Sequence, residues 1–211
     1  MSIVTDSLQE QIRVIIKERI LGKIYLPGEQ IPTKEIAQEF GISNMPVRNS
    51  LQELASLGLV VNRERVGFFV KRFNLDEALK IMEVRELYET YSLEKYFNNI
   101  NRNEMQIICE QSALGEDKKI CFRKLDILLH GALVKASNND YFIDVYMKLQ
   151  NLIELFANIS NAYEHLANRE HIDIATAILN SDCAGALQAL KSHLFRVSKE
   201  IEDVIVSEGN N

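Results

Sequence analysis

The prolines of this chain are confined to its first quarter, which limits the structures that it can form. All three, Pro27, Pro32 and Pro46, lie near the start of a 211-residue sequence, and five of the nine glycines fall within residues 1–72. Proline lacks a backbone donor and interrupts helices, so the front of the chain is limited to short elements. The remainder has no proline and is free to form long helices. The sequence therefore divides into two parts with different local structure.

The front part predicts three helices followed by a hairpin. Apolar residues at three- and four-residue spacing give a first helix that stops near Gly22, and a short second helix ends at Gly41. Ser43 is placed to cap a third helix, with Pro46 in its first turn. Two β-branched and aromatic runs, LVVN and GFFVKR, are joined by RERV, which is typical of a hairpin. This order predicts a winged helix-turn-helix.

The rear part predicts about six helices separated by short polar breaks. They span roughly residues 75–99, 103–114, 117–136, 140–160, 163–180 and 183–207. Helices of this length with short connections pack as an antiparallel bundle. We therefore expect a mainly α protein, with a winged helix-turn-helix DNA-binding domain at 1–72 and an all-α domain at 73–211.

The charge of the chain changes at the same place. The net charge is −6, but residues 1–72 hold ten lysines and arginines against eight acidic residues, while the rest holds 14 against 22. A basic front and an acidic rear indicate two units with different partners. Three cysteines without a CxxC pair favour a reducing cytoplasm, and no apolar run approaches the ~18 residues of a membrane span. We expect a cytoplasmic protein with no membrane partner.

The start of the third predicted helix has side chains suited to reading DNA. In a helix-turn-helix this end enters the major groove, where hydrogen-bond donors are useful and negative charge is not. Arg48 can donate to O6 and N7 of guanine, and Asn44 can pair with adenine or hold a phosphate. Taken alone, Arg48 is equally readable as an ordinary surface arginine. The predicted contacts to bases, backbone and minor groove are Lys34, Ser43, Asn44, Met45, Arg48, Arg63, Arg65 and Gly67.

All four histidines lie in the rear part, and three of them are placed to meet. Asp126 and His130 are four residues apart and share a helix face. His171 and His193 lie at nearly equal distances from the turn at 181–182, so in an antiparallel pair they reach the same height. Three imidazoles and one carboxylate form a ligand set for Zn²⁺, Ni²⁺ or Mn²⁺. The alternative is that the histidines are hydrogen-bonded core residues and that Asp126 pairs with a neighbouring surface cation.

These motifs carry two resemblances. The stretch LPGEQIPTKEIAQEFGISNMPVRNSLQELASLGLVVNRERVGFFV resembles the DNA-binding domain of the GntR family of bacterial transcription regulators. The stretches VRELYETYSLE, LDILLHGALVKASNN and REHIDIATAILNSDCAGALQALKSHL resemble the FCD ligand-binding domain of its FadR-like branch, in the shorter, six-helix VanR-like form. The family usually has arginine at the positions of Lys34 and Asn44 and glutamate at Asn49. The family's usual operator sequence therefore does not transfer directly.

The resemblance also implies a ligand and its site. In metal-binding members of the family, residues at the four positions Asp126, His130, His171 and His193 hold a divalent cation. The family uses this metal to hold a small carboxylate effector, which implies contacts from Arg85 and Asn139. Arg85 is also placed to form an intrahelical pair with Glu89.

Together these features predict a DNA-binding transcription regulator, most simply a repressor, and not an enzyme. Winged helices read two half-sites, so we expect a homodimer on a near-palindromic operator. The effector shifts DNA affinity by binding one arrangement of the protein better than the other. Two alternatives stay open: a regulator whose metal-free rear domain only dimerises, and a metal-dependent hydrolase. No obvious general base beside the metal ligands argues against the hydrolase.

Overall fold

The structure is a computed structural model that describes residues 8–113, 122–157 and 164–209. The chain divides into two compact units, Met1–Phe73 and Asn74–Asn211. The described residues form nine α-helices and one two-stranded sheet, which confirms the predicted mainly α class. Within them, no helix combines the length and the apolar character needed to cross a membrane.

The first unit is a winged helix-turn-helix, as the order of its elements predicted. Its helices are α1 (Leu8–Leu21), α2 (Thr33–Glu39) and α3 (Asn44–Ser56), followed by the strands β1 (Val60–Arg63) and β2 (Gly67–Val70). The strands pair antiparallel and form the wing. Helix α3 packs on α1 and α2, with Ile16 and Leu51 fully buried between the helices. The tight turn between α2 and α3 uses a φ of +62° at Gly41, a conformation that glycine adopts without a steric penalty.

The second unit contains the six long helices that the rear sequence predicted. They are α4 (Leu75–Tyr96), α5 (Arg102–Ala113), α6 (Phe122–Lys135), α7 (Asp140–Ala157), α8 (Glu164–Leu179) and α9 (Cys183–Gly209). A 3₁₀ turn at Phe97–Asn99 extends α4. Helix α4 packs against α6, α7 and α9, and α8 packs against α5, α6 and α9. The predicted helical residues 114, 117–121, 158–160 and 163 lie outside the described residues.

Polar side chains fix the turn between α8 and α9. Arg102 donates from Nη1 to the carbonyls of Ile178 (3.1 Å) and Leu179 (2.9 Å), which are among the last carbonyls of α8. Ser181 adopts a φ of +61°, and Asp182 accepts a hydrogen bond from the backbone N–H of Gly185 at 2.9 Å. This turn sets the register in which α8 and α9 run side by side.

Candidate metal centre and nucleic-acid interface

Three helices bring one carboxylate and three imidazoles together inside the second unit. Helix α6 contributes Asp126 and His130, α8 contributes His171 and α9 contributes His193; their ligand atoms all lie within 4.8 Å of one another. Nε2 of His171 lies 3.4 Å from Nε2 of His130 and 3.4 Å from Nε2 of His193. Oδ1 of Asp126 lies 3.5 Å from Nε2 of His171. The three imidazoles are buried. We call these four residues the His–Asp cluster.

Two glutamates hold the outer sides of the imidazoles. Oε2 of Glu89 lies 2.7 Å from Nδ1 of His130, and Oε2 of Glu170 lies 2.7 Å from Nδ1 of His193. An ionised carboxylate only accepts hydrogen bonds, so each Nδ1 carries the proton and donates it. The lone pair of each ring is then on Nε2, which faces the other imidazoles.

Burial keeps two of the imidazoles neutral. It lowers the pKa of His171 well below its usual value, and the neighbouring imidazoles of His193 and His130 lower it further, because a second positive charge beside them would be repelled. Burial likewise lowers the pKa of His193 to about 4, although the hydrogen bond to Glu170 opposes the shift. Neutral imidazoles are the form that binds metal ions, so both rings are ready to coordinate at neutral pH.

Arg85 lies beside the His–Asp cluster as part of a buried ion pair. Its side chain is 3% exposed, and its Nε donates to Oε1 of Glu89 at 2.8 Å. Tyr146 on α7 donates its hydroxyl to the same oxygen at 2.5 Å. Burial alone would raise the pKa of Glu89, but the charge of Arg85 and the hydrogen bond from His130 outweigh it and lower that pKa. The intrahelical pair expected as an alternative for Arg85 is therefore present, in the interior and not on the surface.

Asn139 lies at the surface, whereas Arg85, the other predicted effector residue, is buried. The Oδ1 of Asn139 accepts from the backbone N–H of Phe142 at 3.3 Å, which caps the start of α7. The preceding Asn138 has a φ of +48°, a region that asparagine tolerates better than most residues. Within the described residues, Asn139 makes no hydrogen bond to Arg85 or to the His–Asp cluster.

Sequence reasoning missed Glu170 and Tyr146. Glu170 also accepts from Arg196, at 2.6 Å from Nε and 2.7 Å from Nη2, so it joins a guanidinium to His193. Burial alone would raise the pKa of Glu170, but the hydrogen bonds from His193 and Arg196 outweigh it and lower that pKa to about 2. Helix packing brings Glu170 to His193 and Tyr146 to Glu89, so the sequence around either residue does not reveal its partner.

The predicted DNA-reading side chains of α2 and α3 are exposed. They are Lys34, Asn44, Met45 and Arg48, and the exposed fraction of Met45 is 66%. Ser43 occupies the N-cap position of α3, but its side chain makes no capping hydrogen bond. The guanidinium of Arg48 stacks over the ring of Phe68 in β2, with 5.6 Å between Cζ and the ring centroid. This contact joins the N-terminal part of α3 to the wing.

The wing is held in place by a side chain that sequence reasoning did not assign. Gln30 donates from Nε2 to the carbonyl of Val66 at 3.0 Å. Gly67 has a φ of +136°, and a Cβ there would lie 2.9 Å from Nε2 of Gln30. Arg63 stacks on Phe69, with 4.2 Å between Cζ and the ring centroid. The exposed Arg65 lies in the turn between the strands.

Comparison with known proteins matches both units. Residues 8–70 match the bacterial regulatory proteins of the gntR family, and residues 80–196 match the FCD domain. The transcriptional repressor RspR of Escherichia coli K12 is 22% identical over 210 residues, covering 95% of this chain and 91% of that protein.

Solved structures share this fold. A transcriptional regulator GntR from Rhodococcus sp. RHA1 superposes with a TM-score of 0.77 at 19% identity, covering 93% of this chain and 98% of that one. The Zn²⁺-bound FCD domain of another regulator superposes with a TM-score of 0.56 at 26% identity, covering 66% of this chain and 99% of that domain.

Proposed function

This chain belongs to the GntR family of bacterial transcription regulators and carries an FCD domain, and we propose that a divalent metal ion at the His–Asp cluster holds a small carboxylate that controls the chain's affinity for DNA. That it is a DNA-binding regulator follows from the family. The metal, the carboxylate and the direction of control are the proposal. Repression is the outcome we favour, since RspR is a repressor.

The observation that carries the proposal is the convergence of the three Nε2 atoms. With metal–nitrogen bonds of about 2.1 Å, a separation of 3.4 Å corresponds to an angle of about 108° at the ion, close to tetrahedral. Asp126 supplies the fourth ligand atom, and the hydrogen bonds from His130 and His193 to glutamates fix the ring orientations. The Zn²⁺ bound to the related FCD domain supports a divalent ion, for which we retain Zn²⁺, Ni²⁺ and Mn²⁺.

The proposed carboxylate site combines this ion with Arg85. A bound ion would offer a coordination position to a carboxylate oxygen. Arg85 donates one side-chain hydrogen bond within the described residues, from Nε to Glu89, so the two terminal nitrogens of its fork remain for a second anion. Its guanidinium also acts electrostatically on His171 and His193. We assign Arg85 the direct contact, and Asn139 the role of fixing the start of α7.

We propose that the DNA contacts are made by the eight residues named from the sequence. Arg48 and Asn44 read bases, and Lys34, Arg63 and Arg65 contact the backbone or minor groove. Chromosomal DNA is the partner, so we place the protein in the cytoplasm. Gly67 allows the wing to approach the DNA closely.

We further propose a homodimer formed through α4 and α7. Exposed apolar side chains lie on α4 (Val84, Leu87 and Tyr91) and on α7 (Tyr141 and Val145). The ring of Tyr91 lies 5.9 Å from that of Phe142, so the two sets adjoin. A second copy is the occupant we infer, because a winged helix reads one half-site and two copies are needed for a near-palindromic operator.

Elemental analysis of purified protein tests the metal. We expect near one divalent ion per chain in the wild type and in His165→Ala, which removes the one histidine of the sequence outside the His–Asp cluster. The double substitution His171→Ala/His193→Ala should lose it. Absence of metal from the wild type, even after incubation with Zn²⁺, Ni²⁺ or Mn²⁺, would leave a metal-free dimerising domain.

A DNA-binding assay tests the control. Fluorescence anisotropy with the DNA upstream of the chain's own gene should show affinity that changes when a carboxylate from a screening library is added to metal-loaded protein. The same carboxylate should have no effect on the metal-free double variant. A carboxylate that acts equally on both proteins would contradict the proposed site.

A further inference from the structure

Glu89 connects the two parts of the proposed effector site. Its Oε1 accepts from Nε of Arg85 and from the hydroxyl of Tyr146, while its Oε2 lies 2.7 Å from Nδ1 of His130. The side chains of Glu89, Arg85 and His130 are at most 3% exposed. The buried carboxylate of Glu89 is therefore shared between the guanidinium of Arg85, which is proposed to bind the effector, and His130, a proposed metal ligand.

Glu170 provides an internal comparison. It accepts from Nδ1 of His193 at 2.7 Å and from Arg196, so it has the same pair of partners, an imidazole and a guanidinium. Its guanidinium is not the one proposed to bind the effector. The pair is also more open, since the side chains of Arg196 and Glu170 are 22% and 27% exposed. The two glutamates thus support two metal ligands in the same way, but only Glu89 also touches Arg85.

We propose that Glu89 is a positioning residue that couples effector binding at Arg85 to metal binding at His130. This inference rests on the proposed function. A carboxylate that accepts a hydrogen bond from Nδ1 of a metal-bound histidine makes that ring a better ligand. The guanidinium of Arg85 competes for the same charge and so weakens this effect. An anion bound to the terminal nitrogens of Arg85 neutralises part of its charge, so the guanidinium competes less for Glu89 and the support of His130 is strengthened.

The coupling has a defined sign. An anionic effector should tighten metal binding, and by reciprocity the metal should tighten effector binding by the same factor. Arg85 therefore keeps the metal affinity low until an anion binds, and Glu89 carries the effect of that anion to His130. Direct repulsion between the guanidinium and the ion has the same sign but does not depend on Glu89. A double-mutant cycle separates the two contributions.

The test uses full-length protein and Zn²⁺ alone, titrated against a competing chromophoric chelator. Glu89→Gln and Glu170→Gln should each lower Zn²⁺ affinity by about 10- to 100-fold. Arg85→Gln should raise it. The factor by which Arg85→Gln raises Zn²⁺ affinity should be smaller by about twofold or more in protein that also carries Glu89→Gln. The same factor should be unchanged in protein that also carries Glu170→Gln.

Additive effects of Arg85→Gln and Glu89→Gln would overturn the proposal while leaving the metal site intact. A wild type that binds no Zn²⁺ would instead overturn the proposed function, and the coupling with it. If Glu89→Gln does not fold, Glu89→Asp replaces it in the cycle, because it keeps the charge but is one methylene too short to reach both partners. Tyr146→Phe removes a hydrogen bond to Glu89 while keeping every charge, so it should leave the effect of Arg85→Gln unchanged.

Discussion

Nε2 of His171 lies 3.4 Å from Nε2 of His193, although both rings are buried among helices. Two nitrogens so close are stable only if at least one ring is neutral, and a proton on both would place like charges against each other in a low-dielectric interior. The folded second unit therefore disfavours protonation of these rings, whereas the unfolded chain protonates them freely.

The metal-free protein should lose stability as the pH falls from 6.5 to 5. Both histidines have lowered pKa values in the folded state, about 4 for His193, so across this range the unfolded chain binds protons that the folded chain does not. The free energy of unfolding should then fall by up to about 1.4 kcal/mol per pH unit for each histidine. Urea unfolding at several pH values in the presence of a chelator measures this pH dependence of the free energy of unfolding. His171→Gln should have a shallower slope, and equal slopes would contradict this account.

Arg48→Ala should weaken binding to the operator more than to unrelated DNA. Loss of a bidentate contact to guanine costs about 1–3 kcal/mol and relaxes specificity at that base. Lys34→Ala is the matched control, since its exposed side chain is proposed to contact phosphate. This substitution should weaken binding to both DNAs alike, and it should reduce the number of counterions released on binding by about one, as measured from the salt dependence of the affinity. Anisotropy titrations at several salt concentrations distinguish the two, and equal losses on both DNAs for Arg48→Ala would exclude base reading.

Asn44→Arg should change which operator base is preferred. Asn44 is exposed at the start of α3, where a longer cationic side chain reaches guanine or phosphate in place of adenine. A base-by-base operator scan with wild type and variant measures the preference. An unchanged preference would show that Asn44 does not contact a base.

Leu87→Glu should dissociate the proposed dimer. A buried, unpaired carboxylate at the centre of an apolar interface is costly, whereas at an exposed position it is not. Phe195→Glu is the control, because Phe195 on α9 is exposed to a similar degree, 67% against 65% for Leu87. Light scattering should give a mass near 24.2 kDa for Leu87→Glu and twice that for the control. Dissociation by the control alone would place the interface on α9.

The sequence predicted most of the fold because its signals are local. Three prolines and the glycine turns limit the front to short elements, and apolar periodicity defines the rear helices. The meeting of His171 and His193 was also predictable, since equal distance from one turn determines equal height on two antiparallel helices.

The partners of these histidines were not predictable in the same way. Glu170 directly precedes His171, yet it bonds His193 on the next helix, and this depends on how α8 and α9 are rotated. Glu89 has the spacing of a surface pair with Arg85, and only the packing of α4 against α6 and α7 makes it a buried partner of His130. Helix rotation and burial arise from tertiary packing, which no short motif encodes.

The His–Asp cluster takes its imidazoles from α6, α8 and α9, so neighbouring rings are 41 and 22 residues apart along the chain. An ion bound there would link the three helices and stabilise the folded state by about 2.7 kcal/mol when the concentration of free ion is 100 times its Kd. Proteases cut a chain in proportion to the time that the chain spends open, so the metal-bound chain would survive longer than the metal-free chain. The number of regulator copies in the cell would then rise and fall with the supply of metal.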